Sequence, residues 1–179
     1  MQLHHRDIID APRDVVYGLV KNNLPDIARY LDSIETITKI SEQKLDAHRS
    51  KIVNHWQAKV DLPILIKKFL SKELISWKDT AIWDERTHEV RYELESFIAN
   101  DLFVAKGCNK FATINGEQTE LTLSCDVAIY ADKVPGIPRM IAAKAVPLVE
   151  GIIEKMLRPN IASLAIGIRQ YLEKHPLRA

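Results

Sequence analysis

The sequence predicts an α+β fold, with an antiparallel β-sheet of about six to seven strands packed on one long C-terminal helix. Three observations carry this reading. Between Ile34 and Tyr130 apolar and polar residues alternate in successive runs, the period of half-buried strands. The connections are mostly short and polar, and Asn115-Gly116 is the strongest hairpin-turn dipeptide in the chain, so neighbouring strands pair antiparallel. From Gly136 to Lys174 the spacing changes to three and four. Ile141, Ala145, Leu148, Ile152 and Met156, then Ile161, Leu164, Ile168 and Leu172, lay one apolar stripe along a helix. Glu150, Glu154 and Arg158 fall on its polar face, and Pro147 and Pro159 are expected to kink or break it.

At 179 residues the chain suits one domain, residues 1–179, with a sizeable core. Lys and Arg total 25 against 24 Asp and Glu, a formal charge of +1, which argues against a nucleic-acid partner bound through bulk charge. The opening MQLHHRDIID has no apolar signal core, and no window reaches the roughly 18 apolar residues of a membrane span. A soluble, cytoplasmic protein is the expectation. Cys108 and Cys125 lack CxxC spacing and read as small apolar residues in a reducing setting.

In chain order, Leu3 to Asp10 reads as a first strand ended by Ala11-Pro12. Pro12 or Arg13 opens a helix with Val15, Val16, Leu19 and Val20 on its apolar side, Asn22-Asn23 breaks it, and a second short helix runs from Pro25 to Leu31. Ile34 to Ser41 is β-branched, but its uneven spacing leaves its faces unassigned. In Ser50 to Val60, Ile52, Trp56, Ala58 and Val60 share a face with one polar exception, Asn54. Leu62 to Leu70 does not alternate and reads as a connection. In Leu74 to Asp84, Ile75, Trp77, Ala81 and Trp83 share a face with Asp79; in Glu89 to Ser96 the apolar set is Val90, Tyr92 and Leu94. Asp101 to Ile114 places Phe103, Ala105, Gly107, Asn109 and Phe111 on one side, and Thr119 to Tyr130 places Leu121, Leu123, Cys125, Val127 and Ile129 together.

This order, with IDAP ahead of the first helix and the closing RPNIASLAIGIRQYLEK, resembles the START-like superfamily (SRPBCC, helix-grip fold) over nearly the whole chain. The resemblance implies a strongly curved sheet gripping the C-terminal helix, with a cavity between them for an apolar ligand. The superfamily holds lipid-transfer proteins, hormone and steroid binders, polyketide aromatases and cyclases, and co-chaperones. The chain lacks the glycine-rich loop of the plant allergen-type members and the Cys/His pair of Rieske oxygenases, which disfavours those branches.

On this reading Trp56, Trp77, Trp83, Tyr92, Phe103 and Phe111 point from sheet to helix, joined by Leu123 and Cys125 of the last strand and by Met140, Lys144 and Met156 of the helix. Asn54, Asp79 and Asn109, polar groups on apolar faces, are placed to orient a ligand's polar head. The plain alternative is that the apolar groups fill the core and the polar ones satisfy the backbone. A catalytic reading starts from His5, Asp7, His55 and Asp79; His5 and Asp7 share a face of the first strand, and Asp79 is the candidate for proton transfer. Against it, His55 falls on a polar side, and His4, His48, His88 and His175 show no ligand spacing, so neither metal nor cofactor is expected. Two apolar connections next to cations, Leu62 to Leu70 with Lys67 and Lys68 and Val134 to Met140 with Lys133 and Arg139, suit a mobile rim in transient contact with an anionic membrane surface. Alternatively Ile64, Ile66 and Phe69 pack beneath the first loop. The function expected is binding or transport of a hydrophobic small molecule, lipid-like or polycyclic, without chemistry. The alternatives are an aromatase/cyclase-type enzyme using the same cavity and a co-chaperone-like interaction module. Ile137 to Met156 is expected to line the cavity or gate its mouth, and Ile161 to Leu172 to anchor the fold.

Overall fold

The computed structural model describes residues 1–59, 76–96, 103–130, 151, 158 and 161–176. The elements are β1 (Gln2–Ile9), α1 (Arg13–Ile27), a 3-10 turn (Ala28–Tyr30), β2 (Ile34–Lys44), β3 (Arg49–Ala58), β4 (Ser76–Asp84), β5 (Glu89–Ser96), β6 (Phe103–Asn115) and β7 (Gln118–Ile129). A helix over residues 161–174, here α2, follows. The strands form one curved antiparallel sheet in the order β1-β7-β6-β5-β4-β3-β2, so β1 closes on the last strand and β2 is the far edge.

Alternation decides which face is dry. Ile52, Asn54 and Ala58 of β3, Trp77, Asp79, Ala81 and Trp83 of β4, and Leu121, Leu123, Cys125 and Val127 of β7 are all buried, as period two requires. β2 explains its own uneven pattern. Register shifts between Ile34 and Thr36 and between Lys39 and Ser41 break the alternation, and only Ile34 and Ile37 are buried. The strand runs on past Ser41 to Lys44 as an exposed edge.

The two short helices form one element with a kink. Asn23 leaves helical geometry (φ −116°, ψ 18°), which accommodates Pro25 two residues on, and the expected second helix becomes the end of α1 and the 3-10 turn. The β6–β7 turn is shifted by one residue from the expected dipeptide. Asn115 pairs with Gln118, so Gly116 and Glu117 make the turn, and the Asn115 Oδ1 accepts from the Glu117 backbone N–H at 2.9 Å.

α1 and α2 cover the inner face. Tyr17 of α1 lies edge-on to Trp83 and Phe111, with ring centroids 5.3 and 5.4 Å apart. The stripe expected on α2 is real: Leu164, Ala165 and Ile168 are buried, and Ile161, Tyr171 and Leu172 pack against the core. A Cβ on Gly167 would stand 2.6 Å from Leu31, so this glycine lets α2 approach the end of α1. The connections at 62–70 and 134–140, the proline positions 147 and 159, and Met140, Lys144 and Met156 lie outside the described residues.

Candidate functional site

Strand register assembles the site. Asn54 stands opposite Asp79, and Asp79 opposite Leu94. One step along, Ala81 faces Tyr92 and Tyr92 faces Gly107; next, Trp83 faces Val90, Val90 faces Asn109, and Asn109 faces Leu123. These rows border a cavity of about 100 Å³ that Val20 and Leu24 of α1 and Ile161 and Leu164 of α2 help to enclose. A single water needs only roughly 10–15 Å³ of such space, so there is room for a small molecule.

Of the residues expected to bind ligand, Trp56, Trp77, Asp79, Trp83, Tyr92, Asn109, Leu123 and Cys125 line this cavity. Asn54 is buried and donates to Asp79 without being one of the lining residues. Phe103 and Phe111 are core residues that do not reach it; Phe111 is covered by Tyr17. The sequence reading missed Val20 and Leu24, which lie one helical turn apart, and Ala81, Val90 and Leu94, whose period-two placement was the available signal. It also assigned Ile161 to Leu172 to anchoring alone, whereas Ile161 and Leu164 border the cavity as well.

Asp79 is the polar centre. The residue is 6% exposed, and its Oδ2 accepts from Trp56 Nε1 at 3.2 Å and from Asn54 Nδ2 at 3.4 Å. Its Oδ1 has no hydrogen-bond partner among the described residues, and neither does Trp83 Nε1 or Asn109 Oδ1. Burial pushes the Asp79 carboxyl up to about 6, although the bonds from Asn54 and Trp56 pull the other way. Trp56 and Trp77 stack with centroids 5.8 Å apart.

The neighbouring ionisable groups stay neutral. Burial raises the Tyr92 phenol far above its ordinary range, and its hydroxyl donates to the Ser124 carbonyl at 3.1 Å. Burial likewise pushes the Cys125 thiol up to about 11. Both cysteines are free; Cys125 is buried, while Cys108 is half-exposed.

The other catalytic candidates are not brought to the cavity. His5 and Asp7 do share a face, with Nε2 3.6 Å from Oδ2, but Asp7 also accepts from Arg169 of α2, which donates to the Ile8 carbonyl at 2.8 Å as well. They tie the helix to the sheet. His88 occupies the β4–β5 turn at φ 51°, with Nε2 3.0 Å from Asp14. His55 alternates with the buried Asn54 and the part-buried Trp56 and is not among the cavity residues. Among the described residues no cluster of His, Cys, Asp and Glu has the form of a metal site, and no helix is long and apolar enough to cross a membrane.

No protein-family model and no curated protein matches the chain. Solved structures do. A protein from Thermus thermophilus is 19% identical with a TM-score of 0.68, covering 99% of this chain and 100% of that one. The Zhui aromatase/cyclase from a Streptomyces species is 14% identical with a TM-score of 0.69, covering 98% of each. Norcoclaurine synthase from Thalictrum flavum, solved in complex with dopamine and hydroxybenzaldehyde, is 14% identical with a TM-score of 0.59, covering 99% of this chain and 89% of that one. At these identities the likeness is one of fold alone, an antiparallel sheet with a C-terminal helix of the helix-grip kind.

Proposed function

We propose that this chain binds or carries an apolar small molecule, lipid-like or polycyclic, between its sheet and its C-terminal helix. The observation that carries this reading is a pocket of about 100 Å³ between sheet and helices, walled among the described residues by three tryptophans, a tyrosine and aliphatic groups. An occupant of matching shape would make dispersion contacts with that wall. Asp79, Trp83 and Asn109 bring polar groups to that wall and give an apolar guest points of orientation. A co-chaperone-like module has no use for such a space.

One observation favours a second reading, an enzyme of the aromatase/cyclase type. Asp79 is buried, has an oxygen without a partner among the described residues and is pushed up to about 6 by burial, the properties of a proton-transfer group, and two of the structural neighbours are small-molecule enzymes. Native mass spectrometry of protein purified from its host tests both. A co-purifying apolar molecule is expected. Recovery of that molecule unchanged after incubation supports binding; its conversion by the parent protein but not by the Asp79→Asn variant supports the enzyme. A clean unliganded mass that persists after exposure to host lipid and metabolite extracts would sink both.

A further inference from the structure

We propose that the cavity selects organic cations, its occupant presenting a protonated amine to Asp79 and a ring-bearing apolar body to the indoles around it. This rests on the small-molecule reading above and specifies the charge of the ligand. Three observations point to it. Among the described residues that line the cavity there is no Lys, Arg or His, and Asp79 is the only one that carries a charge near neutral pH. Among the described residues its carboxylate is held by two neutral donors on Oδ2 and by none on Oδ1. A buried anion without a counter-ion is a defect in a core; an incoming ammonium removes it, while an anionic ligand such as a fatty-acid carboxylate aggravates it.

The third observation is the aromatic surround. Trp56 donates its N–H to the carboxylate and stacks on Trp77, and Trp83 and Tyr92 extend this aromatic surface along the same wall, where a ring-bearing apolar body can pack. A neutral hydroxyl can satisfy Oδ1 but leaves the charge uncompensated. A carbonyl ligand requires Asp79 protonated, which reverses the response to pH.

That reversal makes the proposal testable. Among the described residues, the titratable groups facing the cavity beside Asp79 are Tyr92 of β5 and Cys125 of β7, both protonated through the neutral range, while α1 and α2 contribute Val20, Leu24, Ile161 and Leu164. The carboxyl of Asp79, pushed up to about 6 by burial, therefore governs the response. Cation affinity is full above that value and falls as the pH drops through it, about tenfold by one pH unit below.

The experiment is calorimetric titration of the full chain with three probes of one shape, naphthylmethylammonium, naphthylmethanol and naphthoate, at about pH 7.5 and about pH 5. The ammonium is expected to bind about tenfold or more tighter than the alcohol at the higher pH, and the naphthoate weakest. Acidification should erase the ammonium's advantage, and Asp79→Asn should bring it down to the level of the alcohol. If that variant fails to fold, the pH response of the parent decides alone. An alcohol that binds as well as the ammonium, or an affinity that rises on acidification, overturns the cation inference and leaves the small-molecule reading standing. Failure of all three probes to bind counts against both.

Discussion

One position without a side chain shapes the cavity wall. A Cβ on Gly107 would lie 2.2 Å from Tyr92 Cζ and 2.4 Å from the Ser124 carbonyl oxygen, and backbone cannot yield as a flexible side chain can. The Tyr92 ring lies across this glycine and its hydroxyl reaches the next strand. Gly107→Ala should therefore cost about 2 kcal/mol or more by overpacking, read as a lower denaturant midpoint with unchanged slope. A midpoint equal to the parent's would show that Tyr92 has somewhere else to go. Both residues were placed on the inner face by period two alone, and so was Asp79. Their partners were not legible. Tyr92 over Gly107, and Trp56 and Asn54 on Asp79, depend on strand register, and β3 meets β4 across a long connection instead of a tight turn that would fix the pairing.

Among elements, the stripe of α2 was readable from its spacing, while what holds α2 in place was not. Arg169 lies off the apolar stripe and reads as a solvated residue, yet it reaches the Asp7 carboxylate and the Ile8 carbonyl of β1. Burial alone would raise Asp7, but the bond and charge of Arg169, with the Ile8 N–H and His5, outweigh it and hold the carboxyl below its ordinary value. A lowered folded value means stability that is present above the unfolded carboxyl range and lost as pH falls through the folded one. Arg169→Gln is thus expected to destabilise by about 0.5–1 kcal/mol near neutral pH, a modest figure because the pair is part-exposed, with the gap closing in acid. Thermal melts of parent and variant across pH check this, and a gap that persists below the carboxyl range would assign the loss to packing of the arginine stem. The edge strand taught the converse: β2 was recognisable by composition, but two register shifts scrambled its faces.

For the molecule as a whole, stability and the site pull in opposite directions, and Asp79 is where they meet. An unfolded aspartate titrates near 3.8, whereas the folded chain holds Asp79 at about 6 by burial. Between those values the folded state binds more protons than the unfolded state, so stability falls as pH rises through the window, and the loss is complete above about 6. The difference corresponds to about 3 kcal/mol. Asp79→Asn removes this titration and keeps an amide oxygen to accept from Trp56. It should be more stable than the parent above about pH 6, with the advantage vanishing below the unfolded carboxyl range. Asp7 titrates with the opposite sign, but it is common to both proteins and cancels in their difference. Urea denaturation of the pair at a series of pH values measures that difference, and a parent as stable as the variant at neutral pH would mean that the carboxylate is compensated in a way the bonds to Asn54 and Trp56 do not account for. A core selected for stability alone would have no buried carboxyl beside a pocket. A chain that keeps both gives up folding free energy at the position where a guest would recover it.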